Sequence, residues 1–321
     1  MKRICKLLVL SICIALIFSA TACNGGKTEE KYVIGILQLV QHDALDAATR
    51  GFREALTEKL GDKVTFTEQN AQNDTAVCAA IAGGFVSSNV DLIMANATPA
   101  LQAAAAATAT IPVLGTSITE YGVALDIKDF KGTVGGNVSG TSDLAPLDRQ
   151  AQMLKDFFPN AKKVGLIYCS AEPNSLYQVN TIKGLLEGMG YTAKLYPFSD
   201  SNDLAAVTTT AVGDSDVLYV PTDNTVASNT GIIDNICRPA KKPVIAGEKG
   251  ICAGCGIATL SIDYYDLGRA TGEMAYKILI GESDVSAMPI EYAPVFTKMY
   301  NAEICEALGI TPPDGYVKIA E

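Results

Sequence analysis

Hydrophobic runs and amphipathic stretches alternate along most of this chain. The segment 32–39 (YVIGILQL) is almost continuously apolar, as in a strand buried on both faces. From Asp43 to about Leu60, Leu45, Ala48, Phe52, Ala55 and Leu56 fall on one helical face, and Gly61 ends it. Residues 64–68 predict a strand, Asp74 caps a helix carrying Val77, Ile81 and Phe85, and 91–95 predict a third strand. Thr98 as N-cap with Pro99 at the first helical position predicts an Ala-rich helix from Ala100. Residues 112–114 predict a fourth strand. The polar, Gly/Ser/Thr-rich stretch Gly136 to Asp143 then reads as a crossing between two lobes.

The same plan restarts beyond it. Helices are predicted over 144–157, 174–190, 202–212, 224–237 and 264–280, and strands over 163–168, 192–198, 217–220 and 243–246, with 257–261 leading to the last helix. Strands and helices at this spacing predict an α/β protein of two doubly wound parallel-sheet lobes.

The chain's 321 residues suffice for two such domains, and 48% hydrophobic against 19% charged residues lets each bury a core. The N-terminus reads differently. Lys2, Arg3 and Lys6 precede an apolar run over 7–18 that is too short to span a bilayer, so 1–22 is expected to be an export signal. Residues 23–31 then read as a tether. Without the three signal lysine and arginine residues the chain keeps 22 basic against 35 acidic residues, a net charge of −13, which suits solubility and excludes nucleic acid as a partner. Cys252 and Cys255 form a C-x-x-C in a Gly-rich turn, expected to be incidental or locally bridged; no second pair completes a zinc site.

Catalysis has little to stand on. His42 is the single histidine, and no nucleophile elbow, H-E-x-x-H pair or P-loop is present. Neither metal nor cofactor is expected. A doubly wound sheet binds ligands beyond the carboxyl ends of its strands. The loops there carry Gln41, His42, Thr98, Thr116, Ser117 and Tyr121 in the first block, and Asn174, Ser175, Asp223 and Asn224 in the second, with Asp143 at the crossing. Thr98, Ser117 and Ser175 near helix starts suit an anionic group. Asp223 suits an ammonium or caps the next helix. Tyr168, Tyr177, Phe198, Tyr219 and Tyr264 also lie near these loops, with core packing favoured for Tyr168 and Tyr219.

Several stretches carry a family resemblance. Ala20-Thr21-Ala22-Cys23 resembles a bacterial lipobox, which implies a lipid on Cys23 and anchorage to the cell membrane by that lipid alone. Val40 to Asp46, Asn96 to Ala100, Gly136 to Asp143, Pro221 to Thr225 and Ile262 to Gly268 resemble the tryptophan/tyrosine-type substrate-binding lipoproteins of ABC importers, with the type I periplasmic-binding-protein fold. The resemblance implies an N-terminal lobe of 32–137 plus 261–290, a C-terminal lobe of 138–260 plus 291–321, and a three-stranded hinge. It implies an amino acid ligand, aromatic by family, its carboxylate on Thr98 and Ser117, its ammonium on Asp223 and its ring near His42 and the cleft tyrosines. It further implies a permease and an ATPase as partners. The same fold holding a sugar, nucleoside or other solute, or serving a sensor or adhesin lipoprotein, stays open.

Overall fold

The computed structural model describes residues 31–319. The expected signal, tether and Cys23 lie almost wholly outside them.

The first strands and helices follow the sequence pattern: β1 (Tyr32–Gln38), α1 (Asp43–Leu60), β2 (Val64–Asn70), α2 (Thr75–Ser87), β3 (Leu92–Asn96), α3 (Thr98–Ala107), β4 (Val113–Ile118) and the short α4 (Tyr121–Ala124). Then come β5 (Val138–Ser142), α5 (Leu147–Phe157), β6 (Lys163–Cys169), α6 (Pro173–Gly188), β7 (Thr192–Phe198), α7 (Ser201–Asp214) and β8 (Val217–Val220). The expected helix 224–237 is two helices, α8 (Asn224–Ala227) and α9 (Thr230–Cys237). The chain continues through β9 (Val244–Ala246), α10 (Lys249–Cys255), β10 (Ala258–Ser261), α11 (Tyr264–Leu279), β11 (Glu291–Tyr292), β12 (Thr297–Tyr300), α12 (Ala302–Leu308) and β13 (Val317–Lys318).

Two sheets form. The first runs β11-β5-β4-β3-β1-β2, the second β13-β12-β10-β9-β8-β6-β7. All pairs are parallel except β10 with β12. Each sheet thus repeats one doubly wound order, with the reversal at β1/β3 in the first and β6/β8 in the second. At such a reversal the adjoining loops part and leave a crevice. Helices cover both faces of each sheet over apolar clusters, such as Leu37, Phe85 and Leu101 on one face of the first sheet and Ile36, Phe52 and Met274 on the other.

Two segments sit in a different sheet from the one expected. Residues 138–142 are the strand β5, paired with β4 and β11 in the first sheet, rather than a crossing at the start of the second lobe. The polarity that suggested a loop is internally satisfied. Ser139 Oγ donates to the Met288 carbonyl at 3.0 Å, Thr141 Oγ1 meets Thr271 Oγ1 at 2.9 Å, and Ser142 Oγ donates to the Thr119 carbonyl at 2.9 Å. Gly140, at φ +142°, lets β5 press on Gly115, where any Cβ would collide with the Gly115 backbone. Residues 291–292, expected in the second lobe, extend the first sheet beside β5. The chain passes between the sheets after β5, after β10 and after β11.

α11 comes late in the chain yet packs on α1. Gly51, Gly268 and Gly272 make this possible, because a Cβ on Gly268 would overlap the Ala48 carbonyl and one on Gly51 the Tyr265 carbonyl. The six cysteines of the described residues are free and buried. Cys252 and Cys255 lie in a helix, α10, and not in the expected turn or in a bridge.

Candidate functional site

The two crevices bring together most of the residues expected to bind. Beyond β1 stand Gln41, which is exposed, and His42, which precedes α1. At the tip of β3, Asn96 is fully buried; its Nδ2 donates to the Leu45 carbonyl at 2.8 Å and to Thr49 Oγ1 at 3.0 Å, leaving Oδ1 without a partner. Ala97, not Thr98, is the N-cap of α3 and has φ 89° and ψ 157°, a region normally reserved for glycine. Thr98 is the first helical residue, buried, in a turn whose leading amides lack intrahelical acceptors. On the neighbouring tip Ser117 has φ 57° and a buried Oγ with no partner. Two strained residues, one just past β3 and one on β4, mark a place where something other than stability set the backbone.

Thr116 and Tyr121 serve the core instead. Thr116 Oγ1 meets Thr141 Oγ1 at 3.3 Å. The Tyr121 hydroxyl reaches the Gly115 and Thr141 carbonyls, each at 3.1 Å, and its ring stacks on Phe130. Both tie β4 to β5. Tyr168 and Tyr219 pack in the second core, the Tyr219 hydroxyl donating to Gln150 Oε1 at 2.6 Å.

In the second half the arrangement centres on Glu172, which the sequence reading passed over. Its carboxylate is buried and accepts from the Asn224 amide at 3.0 Å, Asn224 Nδ2 at 2.7 Å, the Thr225 amide at 2.8 Å and Thr225 Oγ1 at 2.8 Å. Asn174 Nδ2 approaches the same carboxylate at 3.3 Å, while Asn174 Oδ1 stays unpartnered. Ser175, one residue on, is fully buried. Asp223 accepts from the Cys169 amide at 2.7 Å and caps α8 through the Val226 amide at 2.9 Å. Glu248, also unforeseen, caps α10 through the amides of Gly250 and Ile251. Neither glutamate belongs to the usual capping set of Ser, Thr, Asp and Asn; the Glu172-Pro173 step, an acid ahead of a helix-opening proline, is the available signal.

The halves meet at these tips. His42 Nε2 lies 3.2 Å from Asn224 Oδ1, and Asn73 Nδ2 donates to Thr225 Oγ1 at 2.9 Å. At the crossings, the Tyr264 hydroxyl donates to Asp143 Oδ2 at 2.9 Å, and Asp143 Oδ1 has no partner. Enclosed between them is a gap of about 10 Å³ with His42, Asp143, Asp223, Asn224, Glu248 and Tyr264 in its walls. Larger hollows lie elsewhere; one of about 890 Å³ along α1 and β2 holds none of the unpartnered atoms in its wall, while one of about 410 Å³ shares His42 with the gap.

Two features set the chemistry of the strand tips, of whose unpartnered residues His42 and Asp143 stand in the gap's wall. Eight buried side-chain oxygen and nitrogen atoms lack a partner among the described residues, and five of them belong to His42, Asn96, Ser117, Asp143 and Asn174 at the strand tips. Buried polar atoms are otherwise nearly always satisfied, so this concentration leaves hydrogen bonds for a guest to make. The second feature is charge. Burial pushes the Asp143 carboxyl up to about 6 and the Glu248 carboxyl up to about 7. Burial and the neighbouring Glu172 carboxylate push Asp223 up to about 8. No lysine or arginine is buried among the described residues to answer them. Nor does any group of three or more His, Cys, Asp or Glu among those residues stand as a metal site would require.

The chain is similar to several known proteins. A tyrosine-binding protein of Clostridioides difficile (strain R20291) is 36% identical over 320 residues, covering 96% of this chain and 92% of that one. A structure of an ABC domain in complex with L-Trp from Streptococcus pneumonia is 32% identical, covers 90% of this chain and 100% of that chain, and has a TM-score of 0.85. The ligand-free, open structure of a substrate-binding protein with adhesive properties from Clostridium difficile is 40% identical over 90% of this chain and 99% of that chain. It superposes less well, with a TM-score of 0.69. The family model described as ABC transporter substrate binding protein matches residues 33–321, and the chain belongs to that family.

Proposed function

We propose that this protein captures an amino acid, aromatic in its side chain, and delivers it to the permease and ATPase of an ABC importer. The observation that carries the reading is the buried acidic wall of Asp143, Asp223 and Glu248 around one gap, with no buried cation of the protein's own. An ammonium is the group that such a wall lacks. The carboxylate is assigned to Ser117 Oγ and the opening turn of α3 at Thr98, which offer donors. The ring belongs near His42 and Tyr264. Relatives described as tyrosine-binding and as holding L-Trp support the aromatic class.

The proposed cycle is a closure of two lobes about three crossings, after 142, after 261 and after 292. Better agreement with the L-Trp complex than with the open relative supports a shut arrangement here. A gap of about 10 Å³ holds roughly one water, so an amino acid enters an opened cleft whose tips readjust around it. Within this reading Gln41, Ser175 and Asn224 contribute contacts at the rim and floor. The anchor on Cys23 is proposed alongside, tested by radiolabelled palmitate incorporation that a Cys23→Ser change abolishes.

Unfolding, dialysis and refolding would strip any carried ligand. Calorimetric titration against tryptophan, tyrosine, phenylalanine and branched aliphatic amino acids then tests the assignment. Binding of an aromatic amino acid well below millimolar is expected, and a chain that binds none of them refutes it.

A further inference from the structure

The hydrogen bonds around Glu172 fix more than the local fold, because they have a direction. A carboxylate only accepts. Glu172 Oε2 therefore takes the Nδ2 end of the Asn224 amide, 2.7 Å away, and turns Oδ1 toward the first half of the molecule. The atom facing that oxygen is His42 Nε2 at 3.2 Å, so Nε2 must carry the hydrogen. Burial lowers the pKa of this imidazole from 6.5, favouring a neutral ring with a single N–H. Its other nitrogen, Nδ1, then holds a bare lone pair. That atom is buried and has no partner. A donor is missing beside it, and His42 stands in the wall of the gap.

We infer that His42 Nδ1 is a specificity determinant that accepts a hydrogen bond from an N–H or O–H on the ligand's ring, selecting indole and phenol side chains over phenyl. Asn224 and Glu172 are positioning residues that hold the imidazole in the accepting tautomer. This rests on the aromatic amino acid reading above and specifies which aromatic side chains the site prefers. Pocket selectivity of this kind comes from the buried acceptor left unpaired when the wrong ligand binds, a larger effect than any difference in ring contact.

Two ligand pairs isolate the ring donor. Tryptophan and 3-benzothienylalanine share a shape but differ by an N–H replaced with sulfur; tyrosine and phenylalanine differ by the hydroxyl. Calorimetry on the wild-type chain is expected to show roughly 10- to 100-fold weaker binding for the member of each pair that lacks the donor. In His42→Phe the difference within each pair should shrink to about threefold or less, the scale of coupling between uninvolved groups. His42→Gln, which can donate to Asn224 while its Oε1 accepts, should retain part of the preference, and thermal melting checks that both variants fold. Should His42→Phe fail to fold, the wild-type pairs and His42→Gln still decide. Equal binding within the pairs in the wild type overturns the inference, as does a preference that survives intact in His42→Phe. Binding of none of the four ligands overturns both this inference and the aromatic assignment, whereas equal binding leaves the assignment standing.

Discussion

Replacing Asp143 by asparagine should stabilise the ligand-free protein, and only at higher pH. Asp143 is buried, and its carboxyl titrates at about 6 where an unfolded chain gives 3.8. A rise of that size corresponds to about 3 kcal/mol of preference for the protonated form in the folded chain. The sign follows from proton linkage. Between those two values the folded state binds the proton and the unfolded state does not, so the folded state loses stability as pH rises through about 6. Below the unfolded value both states are protonated and no difference remains. Asparagine keeps an oxygen for the Tyr264 hydroxyl and carries no charge at any pH. Urea denaturation of stripped wild-type and Asp143→Asn protein should therefore show a variant advantage growing by up to about 3 kcal/mol between pH 4 and pH 8. Part of that advantage is expected as reduced opening of the cleft, which also relieves the buried charge. With an amino acid bound the order should reverse at pH 8, because the ammonium then answers the carboxylate. An advantage that is the same at both pH values would refute the buried-charge argument.

Three more changes probe the frame of the site. Glu172→Gln sets an amide N–H against donors that all face a carboxylate and should cost about 2–4 kcal/mol in chemical denaturation, with weakened ligand binding; an unchanged midpoint would refute its central role. Ala97→Gly relieves a backbone that suits only glycine, and after the entropy cost of glycine should raise stability by about 1 kcal/mol, read as a higher melting temperature. A lower one would show the strain to be absent. Gly268→Ala drives α11 off α1 and should cost about 3 kcal/mol, followed by circular dichroism on heating; a neutral result would mean that the helices part easily.

Much of this could be read from residue patterns. Continuous apolar strands such as 32–38 and the one-sided face of α1 located both sheets, and the strand-tip rule pointed to His42, Ser117, Asn174, Asp223 and Asn224. The reading failed where polar residues are buried and satisfied by distant partners. β5 is nearly all Ser, Thr and Gly; its ladders to β4 and β11 make it a strand, and Met288, Thr271 and Thr119 satisfy its hydroxyls. Thr116 and Tyr121 read as available because the sequence of their partner strand β5 is too polar to predict a strand. Glu172 stayed hidden for a related reason: its donors lie 52 and 53 residues away, and no local pattern records them.

The pairing of α11 with α1, and of β11 with β5, has a consequence for how the molecule comes into being. Emerging from a ribosome or a translocation pore, the leading portion holds five of the six strands it needs but not the helix that buries Phe52 or the edge made by 291–292. It cannot finish until residues 291–292 have been released. Such late completion keeps the growing chain threadable along most of its length and joins the fate of both portions into one event.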